Sequence, residues 1–159
     1  MDDDAASILG ESYDTSQTGM MDEQCILIDE EDNVLGPGSK VQCHLGEGLL
    51  HRAFSVLLFD PNGRLLIQKR SQSKITFPGV WANSCCSHPL HIPEELEDGV
   101  GVKRAAIRKL AQELGILSDS IATEDFRLIS RMHYHARADE RWVEHEIDHI
   151  LALQAEVNI

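Results

Sequence analysis

Residues 83–89 read Asn-Ser-Cys-Cys-Ser-His-Pro, which places a candidate nucleophile or proton donor, Cys86, two positions before a candidate metal ligand, His88. Other chemistry-bearing residues lie at compatible positions: His44 and His51 upstream, and Glu144 and Glu146 near the end of the chain. Three imidazoles and two carboxylates could make an N3O2-type site for zinc or manganese, since imidazole suits both ions and carboxylate adds hardness. Glu144 and Glu146 are two apart on an expected strand, so they share a face with Cα atoms roughly 6–7 Å apart. Lys40, Arg70 and Lys74 border the same loops and could take an anionic group, Arg through its planar fork and Lys as a point charge.

Each of these has a plainer reading. Two carboxylates on one face also describe the solvated side of an edge strand, and any single His is commonly a surface residue. Lys109 and Glu113, one helical turn apart, could be a surface ion pair, and Cys86 could be an inert packing cysteine. A zinc site built from Cys43, His44, Cys85 and Cys86 is the structural alternative, although it lacks Cys-x-x-Cys pairs.

The elements that must position these residues follow from periodicity. Residues 25–29 read as a short buried strand closed by a turn at 30–33. Residues 53–59 and 64–69 are β-rich runs joined by Asp-Pro-Asn-Gly, the signature of a hairpin. Pro78-Gly79 breaks the chain before the Cys block, which puts Cys86 and His88 at a strand end or in a loop. From 101 to 114 the apolar residues recur at helical spacing and Gly115 supplies the left-handed stop. Strands are expected over 126–135 and 142–153, the odd-numbered side of the latter being the better core candidate. The order strand, hairpin, helix, strand, strand predicts an α/β domain of the α+β kind, a mixed sheet with a helix packed on it.

Composition bounds the rest. At 159 residues and 42% hydrophobic the chain is the size of one domain with a sizeable core. Its net charge of −13 is concentrated at one end: residues 1–39 hold eleven Asp and Glu and no Lys or Arg. Residues 1–22, acidic and without a sustained apolar period, read as a disordered tail preceding a domain over 23–159. Such acidity disfavours nucleic acid and anionic membranes as partners, and no apolar run approaches the ~20 residues that span a bilayer. Four irregularly spaced cysteines are expected to be reduced thiols, in a cytoplasmic protein.

Taken jointly, the blocks Leu-His-Arg-Ala-Phe-Ser (50–55), Lys-Ile-Thr-Phe-Pro-Gly (74–79), the Cys block, Arg-Lys-Leu-Ala-Gln-Glu-Leu-Gly (108–115) and Trp-Val-Glu-His-Glu-Ile-Asp (142–148) resemble the type 1 isopentenyl-diphosphate isomerases of eukaryotic kind. That family is a branch of the Nudix fold, an α/β/α sandwich, and residues 108–116 resemble a degenerate Nudix box in which Glu113 alone keeps its carboxylate. The resemblance implies interconversion of isopentenyl and dimethylallyl diphosphate through a tertiary carbocation. Cys86 and Glu146 would be the proton-transfer groups, with Tyr134 as a hydrogen-bonding helper. It also implies His44, His51, His88, Glu144 and Glu146 as ligands of zinc or manganese, and Glu113 as a holder of magnesium with the substrate diphosphate. Lys40, Arg70, Lys74, Ser87 and Lys109 would neutralise the phosphate oxygens. The family places further sheet and helix after the last strand, so the chain reads as C-terminally incomplete, and plastid or peroxisome stand beside the cytoplasm as locations. The rival functions are a Nudix diphosphohydrolase and a non-catalytic metal-binding or interaction fragment.

Overall fold

The computed structural model of the protein describes residues 19–157; most of the acidic tail read at 1–22 lies outside the described residues. Strand β1 (Gln24–Ile28) turns through Asp32, in the left-handed region at φ 71°, into β2 (Val34–Ser39), which runs into the short helix α1 (Lys40–His44). Ser39 caps α1 by accepting from the Gln42 amide while the Gln42 side chain accepts from the Ser39 amide, so two orphan donors are satisfied reciprocally. There follow β3 (His51–Phe59), the two-residue strands β4 (Gln68–Lys69) and β5 (Trp81–Ala82), β6 (Cys85–Ser87), α2 (Pro93–Leu96), α3 (Gly101–Leu114), β7 (Arg127–Arg137) and β8 (Val143–Gln154).

The main sheet runs β2-β1-β3-β8-β7, with β6 also paired to β3. It is mixed: β3 and β8 are parallel, and the other pairs antiparallel. Strand β8 is therefore interior. Its flanking by β3 and β7 removes the edge-strand reading of Glu144 and Glu146 and buries residues on both of its faces. Helix α3 has the bounds its periodicity predicts, and Gly115 closes it at φ 70° with its amide bonded back to Ala111 and Leu110. Ala105, Ala106 and Leu110 of α3 pack with Phe54, Val56, Leu58, Leu151 and Leu153 in the principal core. A second cluster joins Trp142, which is fully buried, to Met21, Val41 and Ile75.

The expected hairpin at 53–69 forms only at its tip. The turn is closed by Asp60, which accepts from the Asn62 and Arg64 amides, and Phe59 bridges Leu65. Beyond that point Ser84 separates the arms: its hydroxyl accepts from the Leu58 amide at 2.8 Å and donates to the Leu66 carbonyl at 2.7 Å. Strand β6 then takes the edge of β3 from Phe54 to Val56, and this pairing delivers Cys86 to the middle of the fold. Among the described residues no helix is long and apolar enough to cross a membrane.

Candidate active site

The sheet brings His44, His51, His88 and Glu146 into one group whose ligand atoms lie within 4.8 Å of one another. Each comes from a different element: the end of α1, the start of β3, the turn after β6, and β8, where Glu146 is in register with His51. The three rings pack with centroids 4.7–4.9 Å apart. Backbone carbonyls fix two of the tautomers, because His44 Nδ1 donates to Lys40 O at 2.8 Å and His51 Nδ1 donates to Leu49 O at 2.7 Å. Their Nε2 lone pairs therefore face Glu146 Oε1, at 3.9 and 3.5 Å, and His88 Nε2 approaches the same oxygen at 2.8 Å.

Burial drives His44 well below the usual imidazole range, helped by His88 and His51, and takes His88 down to about 4. Burial alone would raise Glu146, yet the surrounding imidazoles hold it well below the usual carboxylate range. Buried lone pairs turned on a buried carboxylate call for a cation between them, and His51 Nε2 is left without a hydrogen-bond partner. The residues fit a divalent metal held by three imidazole nitrogens and one carboxylate oxygen. Glu144 lies beside this group and outside it: it accepts from the Tyr134 hydroxyl at 3.1 Å, while that hydroxyl donates to Glu146 Oε2 at 2.6 Å. The cysteines, all free, join no such group among the described residues, so the Cys43–His44–Cys85–Cys86 alternative is not formed.

A cleft opens beside the cluster. It is lined by Cys86, Ser87, His88, Tyr134, Glu144, Glu146 and Asp148, and by the charged residues Lys40, Arg70, Lys74, Lys109 and Glu113. Met20, Phe54, Ile75, Phe77 and Val80 supply an apolar wall. Lys109 and Glu113 are no surface pair: Lys109 is 2% exposed. Glu113 accepts from Lys74 Nζ at 3.3 Å and lies 3.6 Å from Lys109 Nζ, and these cations outweigh burial to hold its carboxyl below the usual range. Arg70 is held in place by the loop it borders, donating from Nε to Phe77 O at 3.0 Å and from Nη2 to Thr76 O at 2.8 Å. Those bonds hold Phe77 at φ 47°, a left-handed conformation costly for an aromatic residue. Lys40 pairs with Glu23 at 3.5 Å.

Cys86 donates to Asn83 Oδ1, and burial pushes its thiol up to about 11, so it holds its proton at neutral pH. Two residues beside it were not singled out from the sequence. Ser55 lies 3.8 Å from Cys86 Sγ and donates to Asp148 Oδ2 at 2.7 Å, and burial pushes Asp148 up to about 6. The alternation that put Glu144 and Glu146 on one face extends to Asp148, so the signal was present. A third omission is Glu95, 4% exposed, which accepts from Arg108 Nε and Nη2 at 2.6 and 2.9 Å and from the Leu90 amide at 2.6 Å. Arg108 also donates to His88 O at 3.2 Å, so this pair clamps the turn that carries the ligand.

The NUDIX domain model matches residues 49–159. The isopentenyl-diphosphate delta-isomerase of Gibberella zeae is 51% identical over 99% of this chain and 66% of its own length. That of Bos taurus is 49% identical over 94% of this chain and 68% of its own. The chain belongs to the isopentenyl-diphosphate isomerase branch of the Nudix family. It spans about two-thirds of the length of these curated relatives. The fold has a solved counterpart in the crystal structure of DR0079 from Deinococcus radiodurans, with a TM-score of 0.58, 18% identity, and coverage of 86% of this chain and 74% of that one. Helix α3 offers the cleft one carboxylate, Glu113, with Lys109 and Gln112 in the same turn.

Proposed function

We propose that this chain interconverts isopentenyl and dimethylallyl diphosphate. The observation that carries the proposal is the convergence of Cys86 and a histidine-bound Glu146 in one cleft lined by apolar residues and by Lys40, Arg70, Lys74 and Lys109. In this reading Lys40, Arg70, Lys74, Lys109 and the Ser87 hydroxyl take the diphosphate oxygens, and that remote binding orients the alkenyl group against the wall. An unactivated alkene is a very weak base, so protonating it needs a positioned acid in a water-poor site. Cys86 and Glu146 carry the two proton transfers. One proton adds to the terminal methylene carbon and leaves a tertiary cation at its neighbour; a second leaves the carbon on the diphosphate side, and the new double bond forms there. No net proton is consumed. Tyr134, donating to Glu146 Oε2, fixes the orientation of that carboxylate.

In the same proposal His44, His51, His88 and Glu146 hold zinc or manganese, with Glu144 completing the shell, and Glu113 shares magnesium with the diphosphate. A bound zinc or manganese would orient and tune Glu146, and magnesium would offset phosphate charge. Helix α3 supports isomerase over hydrolase, because Nudix hydrolysis relies on several helix carboxylates to hold metals around a diphosphate. A cytoplasmic location belongs to this proposal and is tested by cell fractionation. For the activity, the chain loaded with zinc and magnesium is incubated with isopentenyl diphosphate and the products are separated. Dimethylallyl diphosphate is expected; release of inorganic phosphate or pyrophosphate with no isomer would establish the hydrolytic alternative.

A further inference from the structure

On the face of the sheet opposite Glu144 and Glu146 lie three more imidazoles, two of which bring their ring nitrogens together. His133 and His135 are two apart on β7, and His135 pairs with His145 on β8, so the period of two turns all three to one side. The intervening pair, Tyr134 and Glu146, turns to the active-site cleft. His133 Nε2 and His145 Nε2 stand 3.3 Å apart, and the two rings are stacked with an interplanar angle of 15°. His135 meets His145 edge-on, with centroids 4.8 Å apart.

The spacing of the first two is informative. Nitrogens bound at the usual zinc distance in a tetrahedral shell lie about 3.4 Å from each other, so the pair already has the separation of two ligands to one ion. The tautomers agree with this. His145 Nδ1 faces Gly48 O at 3.3 Å, which places the proton on Nδ1 and turns the Nε2 lone pair toward His133. His135 Nε2 donates to Glu47 O at 3.0 Å, which leaves its Nδ1 as the lone-pair nitrogen. Both carbonyls belong to the loop before β3. Gly48 sits at φ +66°, and a Cβ there would stand 2.6 Å from Cys43 O and 2.7 Å from Val143 Cγ1. Glycine is what lets the loop lie against β8 and hold its carbonyl on His145.

We propose that His133 and His145 form a second metal site, for a borderline-soft divalent cation such as zinc or copper(II), with water completing the shell. An all-imidazole donor set selects such ions over magnesium. The site shares no ligand with the cluster around Glu146, and it does not depend on the isomerase reading.

The test is zinc stoichiometry. Chelator-stripped chain is equilibrated with zinc by dialysis and bound metal is measured by elemental analysis, with far-UV circular dichroism as the fold control. Wild type is expected to hold one more zinc than His133→Ala or His145→Ala, and His88→Ala is expected to keep the outer ion. Copper(II) bound to His88→Ala should show electron paramagnetic resonance splitting from at least two imidazole nitrogens. His133 is exposed, so its substitution carries the test even where His145→Ala fails to fold. Equal zinc content in wild type and folded His133→Ala would overturn the proposal and leave a hydrogen bond between the two rings as the whole of their interaction.

Discussion

Replacing Glu95 with alanine should both destabilise the protein and loosen its metal site, although Glu95 is no ligand. The carboxylate is 4% exposed and takes three hydrogen bonds, two from Arg108 and one from the Leu90 amide. Breaking a buried ion pair by removing one partner costs about 3–5 kcal/mol, and an orphaned buried amide about 1–3 kcal/mol. The two overlap and Arg108 is partly exposed, so the expected loss is about 3 kcal/mol. For a chain of this length that corresponds to a fall in Tm on the order of 10 °C. Glu95→Gln keeps one of the two acceptor oxygens and should cost less, about 1–2 kcal/mol. Because Arg108 also holds His88 O, Glu95→Ala should weaken zinc binding by about 10-fold or more, the range seen when partners of metal ligands are removed. Urea unfolding of the two variants and of Glu95→Ala/Arg108→Met, with competitive zinc titration of each, checks this. A loss below about 1 kcal/mol together with unchanged zinc affinity would refute the claim that this pair clamps the His88 turn.

Three further outcomes are expected. His88→Ala should abolish tight zinc binding at the Glu146 cluster, read by competition with a chromophoric chelator, and retention of wild-type affinity there would remove His88 from the ligand set. Asp32 is held down to about 2 by bonds from His149 and Arg52 that outweigh burial. Its folded value lies below its unfolded one, so its stabilisation is complete above about pH 4 and is lost as pH falls toward 2. Asp32→Asn should therefore flatten the acid limb of the stability profile measured by urea unfolding; an unchanged limb would contradict the assignment. Lys109→Met should raise KM for a diphosphate substrate far more than it lowers kcat in steady-state kinetics, since it removes a buried charge assigned to the diphosphate and none at the reacting carbons.

Some of this architecture was legible from the chain and some was not, for physical reasons. Helix α3 was readable to its end residues because a 3.6-residue apolar period and a glycine stop are local signals. Strand β8 was readable as a strand, but its interior position was not, because a parallel partner 95 residues earlier in the chain leaves no local mark; the apolar alternation alone pointed to an edge. The hairpin at 53–69 failed at its second arm because one hydroxyl, Ser84, competes for the backbone of β3 and β6 supplies the better partner. At the site, the histidines and Glu146 were found by type and were brought together only by the sheet. Glu95 and Arg108 look like surface charges in sequence, and nothing but the packing of α2 against α3 shows them as a buried clamp. Met21 packs against Trp142 from within a stretch whose composition reads as a tail.

In the proposed reaction Cys86 transfers a proton to or from a five-carbon alkenyl diphosphate. Proton NMR of the zinc- and magnesium-loaded chain with isopentenyl diphosphate in heavy water, run beside folded Cys86→Ala, tests it most directly. Dimethylallyl diphosphate carrying deuterium in a methyl group is expected from the wild type and none from the variant. Equal deuterated product from both, with matching circular dichroism spectra, would contradict it.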